Sequence, residues 1–184
     1  MRDLNQQIIK FDHEKNFRYD DFYVSKSNEY IFNFLNNWPK WEKNFINING
    51  ENFSGKTHLT KIFLKKYKGI VLEAKFLNDD DLKQIKPYEN IVLENLEKNV
   101  NERLIYSLFN IIDQDNKYLI VTSIKPITKI DFELHDLKSR TKNFLLQTIE
   151  KPDDDLIFAL LLKNFSDRQI LIEKKLINFI IKRI

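Results

Sequence analysis

The chain has no cysteine, which excludes a disulfide framework, a thiolate metal site and a cysteine nucleophile. Its three histidines, His13, His58 and His135, are too scattered to give metal-ligand spacing. The longest wholly apolar run, residues 156–162, is far shorter than the ~20 residues that cross a bilayer. The N-terminus lacks the basic-then-apolar layout of an export signal. An excess of one charge is missing too: 30 basic and 27 acidic residues are interspersed and leave +3, so contact with DNA is expected to be indirect or weak. The scarcity of methionine and glycine beside abundant Lys, Asn, Ile and Phe reads as genome base composition rather than mechanism. These absences predict a soluble protein of a reducing cytoplasm, and 184 residues predict one domain with a small appendage.

What is present centres on Gly50, Glu51, Asn52, Phe53, Ser54, Gly55, Lys56 and Thr57, which match the phosphate-loop pattern G-x-x-x-x-G-K-[ST] at every position. Glycines let the backbone bend round a phosphate so that successive amides point inward. The lysine reaches the terminal phosphates, and the threonine hydroxyl is offered to Mg²⁺. The context agrees: residues 44–48 alternate as a strand does, and residues 56–67 have helical spacing with Leu59, Ile62 and Phe63 on one face. Strand, loop and helix in that order put unpaired amides and the positive end of the helix dipole under an anion.

Along the rest of the chain, Ser27 predicts the cap of a helix that buries Ile31, Phe34, Leu35 and Trp38 and ends at Pro39, after an extended stretch over 17–24. Further strands are expected at 69–73, 90–94, 118–122 and 143–149, with a helix over 102–112 turning Leu104, Leu108 and Ile111 inward. Asp79, Asp80 and Asp81 point in different directions, so they read as a solvated helix start rather than a metal site. The alternation predicts an α/β fold with a five-stranded parallel sheet covered by helices on both faces. After Pro152 only helices are expected, at 153–164 and 173–184. The organisation is thus an N-terminal segment (1–16), a nucleotide-binding domain (17–150) and a helical appendage (151–184).

Hydrolysis on such a fold needs a carboxylate at the end of a second apolar strand to hold Mg²⁺ through water, and another to orient the attacking water. Glu94 takes the first position and Asn95 the second. Asn95 cannot accept a proton, and loss of a general base costs ~10²–10⁴ in rate, so binding without rapid turnover is expected. Arg140 reads equally as a surface cation and as a phosphate ligand, for which its planar fork is suited.

On these residues the chain resembles the AAA+ domain of the bacterial replication initiator DnaA, and more closely the short Hda regulators. Residues 22–28 look like the family's entry segment, 55–59 like its G-K-T-H-L, 119–126 like its sensor 1 strand, and 137–140 like its box VII motif. The resemblance implies an AAA+ nucleotide site for ADP or ATP with Mg²⁺ on Thr57 and Glu94. It also implies that Arg140 acts as an arginine finger on a partner's nucleotide. Asparagine at position 95 is the Hda pattern, whereas Ile124 stands where the initiator has aspartate, and the chain stops before the lid segment that carries the sensor 2 arginine. Hda relatives dock on the polymerase sliding clamp through an N-terminal motif that Gln6, Gln7, Ile8, Ile9 and Phe11 match in part, in either of two registers, with Gln7 in place of a leucine in one and Lys10 the mismatch in the other. The implied function is an adaptor that promotes ATP hydrolysis by DnaA, with a homodimer also compatible. Two others remain: a degenerate nucleotide-binding scaffold, and a weak autonomous ATPase using a remote acid such as Glu97.

Overall fold

A computed structural model describes residues 22–183. The candidate clamp motif at Gln6, Gln7, Ile8, Ile9 and Phe11 lies outside the described residues, as does most of the extended stretch expected over 17–24.

Five parallel strands form one sheet in the order β2-β3-β4-β1-β5, with β1 at Phe45–Asn49, β2 at Gly69–Glu73, β3 at Asn90–Glu94, β4 at Tyr118–Ser123 and β5 at Leu145–Thr148. Alternate residues serve opposite faces, which is why β3 and β4 are apolar on both faces through Ile91–Leu93 and Leu119–Val121. Ile91, Leu93, Leu119 and Val121 face α4 (Glu102–Gln114) and α5 (His135–Thr141), while Ile46, Ile48, Val92 and Ile120 face α1 (Glu29–Asn36) and α2 (Lys56–Lys66). Such a sheet covered by helices on both faces is the predicted class.

Local details differ from expectation. Asn28 rather than Ser27 occupies the N-cap position of the first helix, but its side chain bonds the preceding turn instead of the helix: the Ser25 amide donates to Asn28 Oδ1 (2.9 Å), and Asn28 Nδ2 donates to the Tyr23 carbonyl (3.0 Å). It buries Ile31 and Leu35, whereas Phe34 and Trp38 are half-buried, stacked on Trp41 and tilted on Tyr67 respectively. In α4 the inward face is Ile105, Leu108, Phe109 and Ile112, and the expected Leu104 and Ile111 sit on its flank. The helix is rotated so that Phe109 fills the centre, between Phe45 and Phe144. The three aspartates start α3 (Asp79–Gln84), with Asn78 and Asp81 forming a reciprocal capping box. The chain closes with α6 (Asp154–Asp167) and α7 (Lys174–Ile181), packed on each other. Among the described residues no helix is long and apolar enough to cross a membrane.

Candidate functional site

The loop leaves the carboxyl end of β1 and enters α2, at the rim where all five parallel strands end. Gly50 is held to the neighbouring strand by its amide on the Ser123 carbonyl (3.2 Å). A Cβ there would lie 2.9 Å from Ser54 Oγ and 3.2 Å from Ile149, so a side chain at the first motif glycine would crowd the loop. The second, Gly55, is required by conformation, with φ at +93° just before α2. Phe53 adopts φ +64° with its ring fully in solvent, a backbone state that costs a non-glycine residue ~1–2 kcal/mol.

Lys56 is buried at the start of α2, and its ammonium donates to the carbonyls of Gly50 (2.7 Å) and Glu51 (2.8 Å). Burial pushes its pKa below the ordinary 10.5, with the nearby Glu94 carboxylate pulling the other way. Glu94, buried at the end of β3, accepts from Thr57 Oγ1 (3.2 Å) and Thr60 Oγ1 (2.7 Å). The expected magnesium pair is therefore brought together: a hydroxyl and a carboxylate, hard oxygen donors on two different elements. Among the described residues no three metal-binding side chains converge, so a fit to Mg²⁺ needs the rest of the shell from water and phosphate, as this ion commonly takes it.

Asn95 follows in the left-handed region (φ +57°), its amide donating to Thr122 Oγ1 (3.0 Å) and its side chain to Glu73 Oε1 (2.9 Å). Ile124 lines a cleft beside the loop, while Glu97 lies exposed in the loop after β3. Arg140 is elsewhere. It ends α5 beside the last turn of α4, pairing with Asp113 Oδ2 (3.3 Å) and lying over the Tyr106 ring (5.6 Å). That turn leads into β4, so Arg140 sits at the end of the strands opposite the loop and has no place in its own chain's cleft.

The cleft beside the loop has a volume of ≈ 570 Å³, within the range of small-molecule sites. Away from the loop its walls are Phe22, Tyr23, Ile149, Leu156 and Leu160, brought together from the entry segment, the end of β5 and α6. Asp153 ties two of these walls: it caps α6 through the Leu156 amide (2.8 Å) and accepts from the Ser27 amide (3.3 Å). Those hydrogen bonds, the Leu156 amide foremost, hold its carboxyl below the usual 3.8.

Several site-shaping residues were not singled out from sequence. Asn47, buried in β1, donates to the Val121 carbonyl (3.1 Å) and Ser123 Oγ (2.9 Å) and accepts from the Ile127 amide (2.9 Å), fixing the turn after β4. Asn49 donates to the Gln147 carbonyl (3.1 Å) and so locks β5 beside the loop. The signal available was polar residues at inward positions of an otherwise apolar strand.

No family model matches the chain. Over 142 residues it is 29% identical to the chromosomal replication initiator protein DnaA of Borreliella afzelii, a match covering 77% of this chain and 26% of that protein. DnaA of Borreliella burgdorferi is 28% identical over the same length. In fold it is similar to AMPPCP-bound DnaA from Aquifex aeolicus (TM-score 0.71, 20% identity, 90% of this chain and 59% of that one). It is also similar to domain III of the Thermotoga maritima replication initiation protein DnaA (TM-score 0.71, 18% identity, 91% and 81%). The chain is related to DnaA in sequence and shares the fold of its domain III. It spans about a quarter of the length of the DnaA proteins it matches in sequence. A more distant likeness in fold, at TM-score 0.54 and 12% identity over 70% of this chain and 84% of the other, is to DnaI.

Proposed function

We propose that this DnaA-related chain is an Hda-like regulator of replication initiation. In this reading it binds ADP or ATP with Mg²⁺ in the cleft beside the loop, docks on the sliding clamp through residues 6–11 and offers Arg140 to ATP held by DnaA. The observation that carries it is the division of the molecule into two ends. One holds a phosphate cradle with Lys56 buried and Thr57 joined to Glu94; the other presents Arg140, remote from that cradle and so available only to a second protein's nucleotide. The apolar far wall of the cleft suits a base, and the AMPPCP of the Aquifex aeolicus DnaA structure supports an adenine nucleotide.

The test is turnover of DnaA-bound ATP on clamp-loaded DNA. The wild-type chain accelerates it, and Arg140→Ala removes most of an effect that for arginine fingers reaches ~10³–10⁵. No acceleration, or full acceleration by the variant, refutes the finger. Ile124 in the cleft favours a second reading, a scaffold that recruits a replication protein without stimulating it. In that case partner capture is indifferent to nucleotide and to Lys56→Ala.

A further inference from the structure

Asn95 stands where a water-orienting acid is expected, yet its side chain reaches one. Its Nδ2 donates to Glu73 Oε1 at 2.9 Å. Glu73 is the last residue of β2 and pairs in register with Glu94, so the two carboxylates end neighbouring strands on the rim where the loop sits. They are committed differently. Both oxygens of Glu94 are taken by the hydroxyls of Thr57 and Thr60, which leaves that carboxylate to the metal position. Glu73, half-buried, is turned to Asn95 instead.

The placement of Asn95 is fixed by its surroundings. Its amide is held by Thr122 Oγ1 (3.0 Å), the next amide, of Leu96, is held by the Thr122 carbonyl (2.8 Å), and its φ of +57° is a conformation asparagine tolerates better than most side chains. Because Nδ2 is the atom bonded to Glu73, Oδ1 is left as the acceptor of the same amide group, next to that carboxylate. The side-chain amide of the residue that follows Glu94 thus carries a carboxylate on one atom and an acceptor on the other.

We propose that Glu73, oriented through Asn95, is the proton acceptor for a slow hydrolysis of nucleoside triphosphate at this chain's own site. Asn95 Oδ1 holds one hydrogen of the attacking water and the Glu73 carboxylate takes the other as a proton. The water oxygen bonds to the terminal phosphorus while the bond from that phosphorus to the bridging oxygen breaks, its electron pair leaving on the diphosphate. Glu73 is then the catalytic base and Asn95 a positioning residue. The activity adds to the regulatory role proposed above, because it returns the chain's own site from the triphosphate to the diphosphate state without a second protein. It rests on nucleotide binding at the loop, so binding and turnover are measured separately.

The experiment uses the full chain with Mg²⁺: affinity from the fluorescence of N-methylanthraniloyl-ATP, and hydrolysis from single-turnover conversion of radiolabelled ATP with protein in excess. Glu73→Gln keeps a carbonyl oxygen for Asn95 Nδ2, so a merely structural pair survives while the base is lost. The expected result is unchanged nucleotide affinity and unchanged thermal unfolding, with hydrolysis lower by ~10²-fold or more. Glu73→Asp retains part of the rate and serves as the second variant should the first misfold. Wild-type hydrolysis by Glu73→Gln, or tight binding by the wild type with no hydrolysis at all, overturns the proposal and leaves nucleotide binding standing. Absence of binding by the wild type overturns both.

Discussion

In the sheet, β3 buries all of its residues and β4 all but its first. In the C-terminal helix pair, the fourteen-residue α6 buries only Leu156 and the eight-residue α7 only Ile177, while Leu160, Leu162, Leu176 and Phe179 stand in solvent. Both regions are rich in leucine and isoleucine, so hydrophobic content does not separate them. What separates them is company: β3 and β4 each have neighbours on two edges and helices on two faces, whereas the helices of the pair have chiefly each other. The cleft lies where the two regions meet. Its floor is a loop anchored to buried strands, and its wall is a helix with few buried contacts, the condition under which local opening is easiest and a ligand can most readily order a surface.

The sharpest way to break this comparison is to remove a side chain from the sheet's core. Phe109 is fully buried, with Phe144 at 5.1 Å and Phe45 at 5.9 Å between ring centroids. Phe109→Ala should cost ~3–5 kcal/mol in denaturant unfolding, enough to threaten folding altogether. A cost below about 1 kcal/mol would mean that this core is far looser than its burial indicates.

Next in size is the coupling of floor to wall through a ligand. Adenine nucleotide at a hundredfold excess over its dissociation constant should stabilise the chain by ~2.7 kcal/mol in thermal or chemical unfolding, and Lys56→Ala should abolish the gain. The effect has a pH signature. Since burial lowers the Lys56 pKa in the folded protein, the free folded chain loses this proton before the unfolded chain does. Between the lowered value and 10.5, stability without nucleotide rises with pH from this group, whereas nucleotide affinity falls because the ammonium is being discharged. Affinity that rises over that window would exclude Lys56 as the phosphate's cation.

The sheet was legible in the sequence because parallel strands advertise themselves as short apolar runs, and the loop because its glycines and lysine have no cheaper explanation. Glu94 was legible from its place at the end of such a run, and its partnership with Thr57 follows from strand, loop and helix order. The rotation of α4 was not, because Ile105, Phe109 and Ile112 compete with Leu104 and Ile111 on either side of a shared Leu108, and only the pocket for Phe109 decides between them. Asn47 and Thr60 were missed for a related reason: a buried polar side chain is explained by its distant partners, which lie 34 to 80 positions away for these two. The Glu73–Asn95 pair, 22 residues apart, belongs to the same class.

A smaller effect is expected where the two regions are tied. Asp153→Ala removes both the cap of α6 and the acceptor of the Ser27 amide and should cost ~1 kcal/mol, felt as loosening of α6 in hydrogen exchange before global unfolding. Because the folded carboxyl titrates below 3.8, its contribution is fully present above that pH and is lost as pH falls through the depressed value. The wild type should therefore converge on the variant in strong acid, and a difference that persists there would assign the effect to something other than the charge.

The smallest effect tests the outer face of the helix pair. Leu162 lies mid-way along α6 and is exposed. Leucine and glutamine have nearly equal helix propensity, so Leu162→Gln changes the surface without changing the helix. In the isolated chain the unfolding free energy should move by less than about 0.5 kcal/mol, the usual range for surface sites. The same substitution in the α4 seam, Leu108→Gln, would place an amide among fully buried apolar side chains, where an unpartnered polar group costs ~1–3 kcal/mol beyond the lost packing. A loss at Leu162 approaching that at Leu108 would show that the outer face of α6 is covered in solution, and the contrast between an enclosed sheet and an open helix pair would then fail.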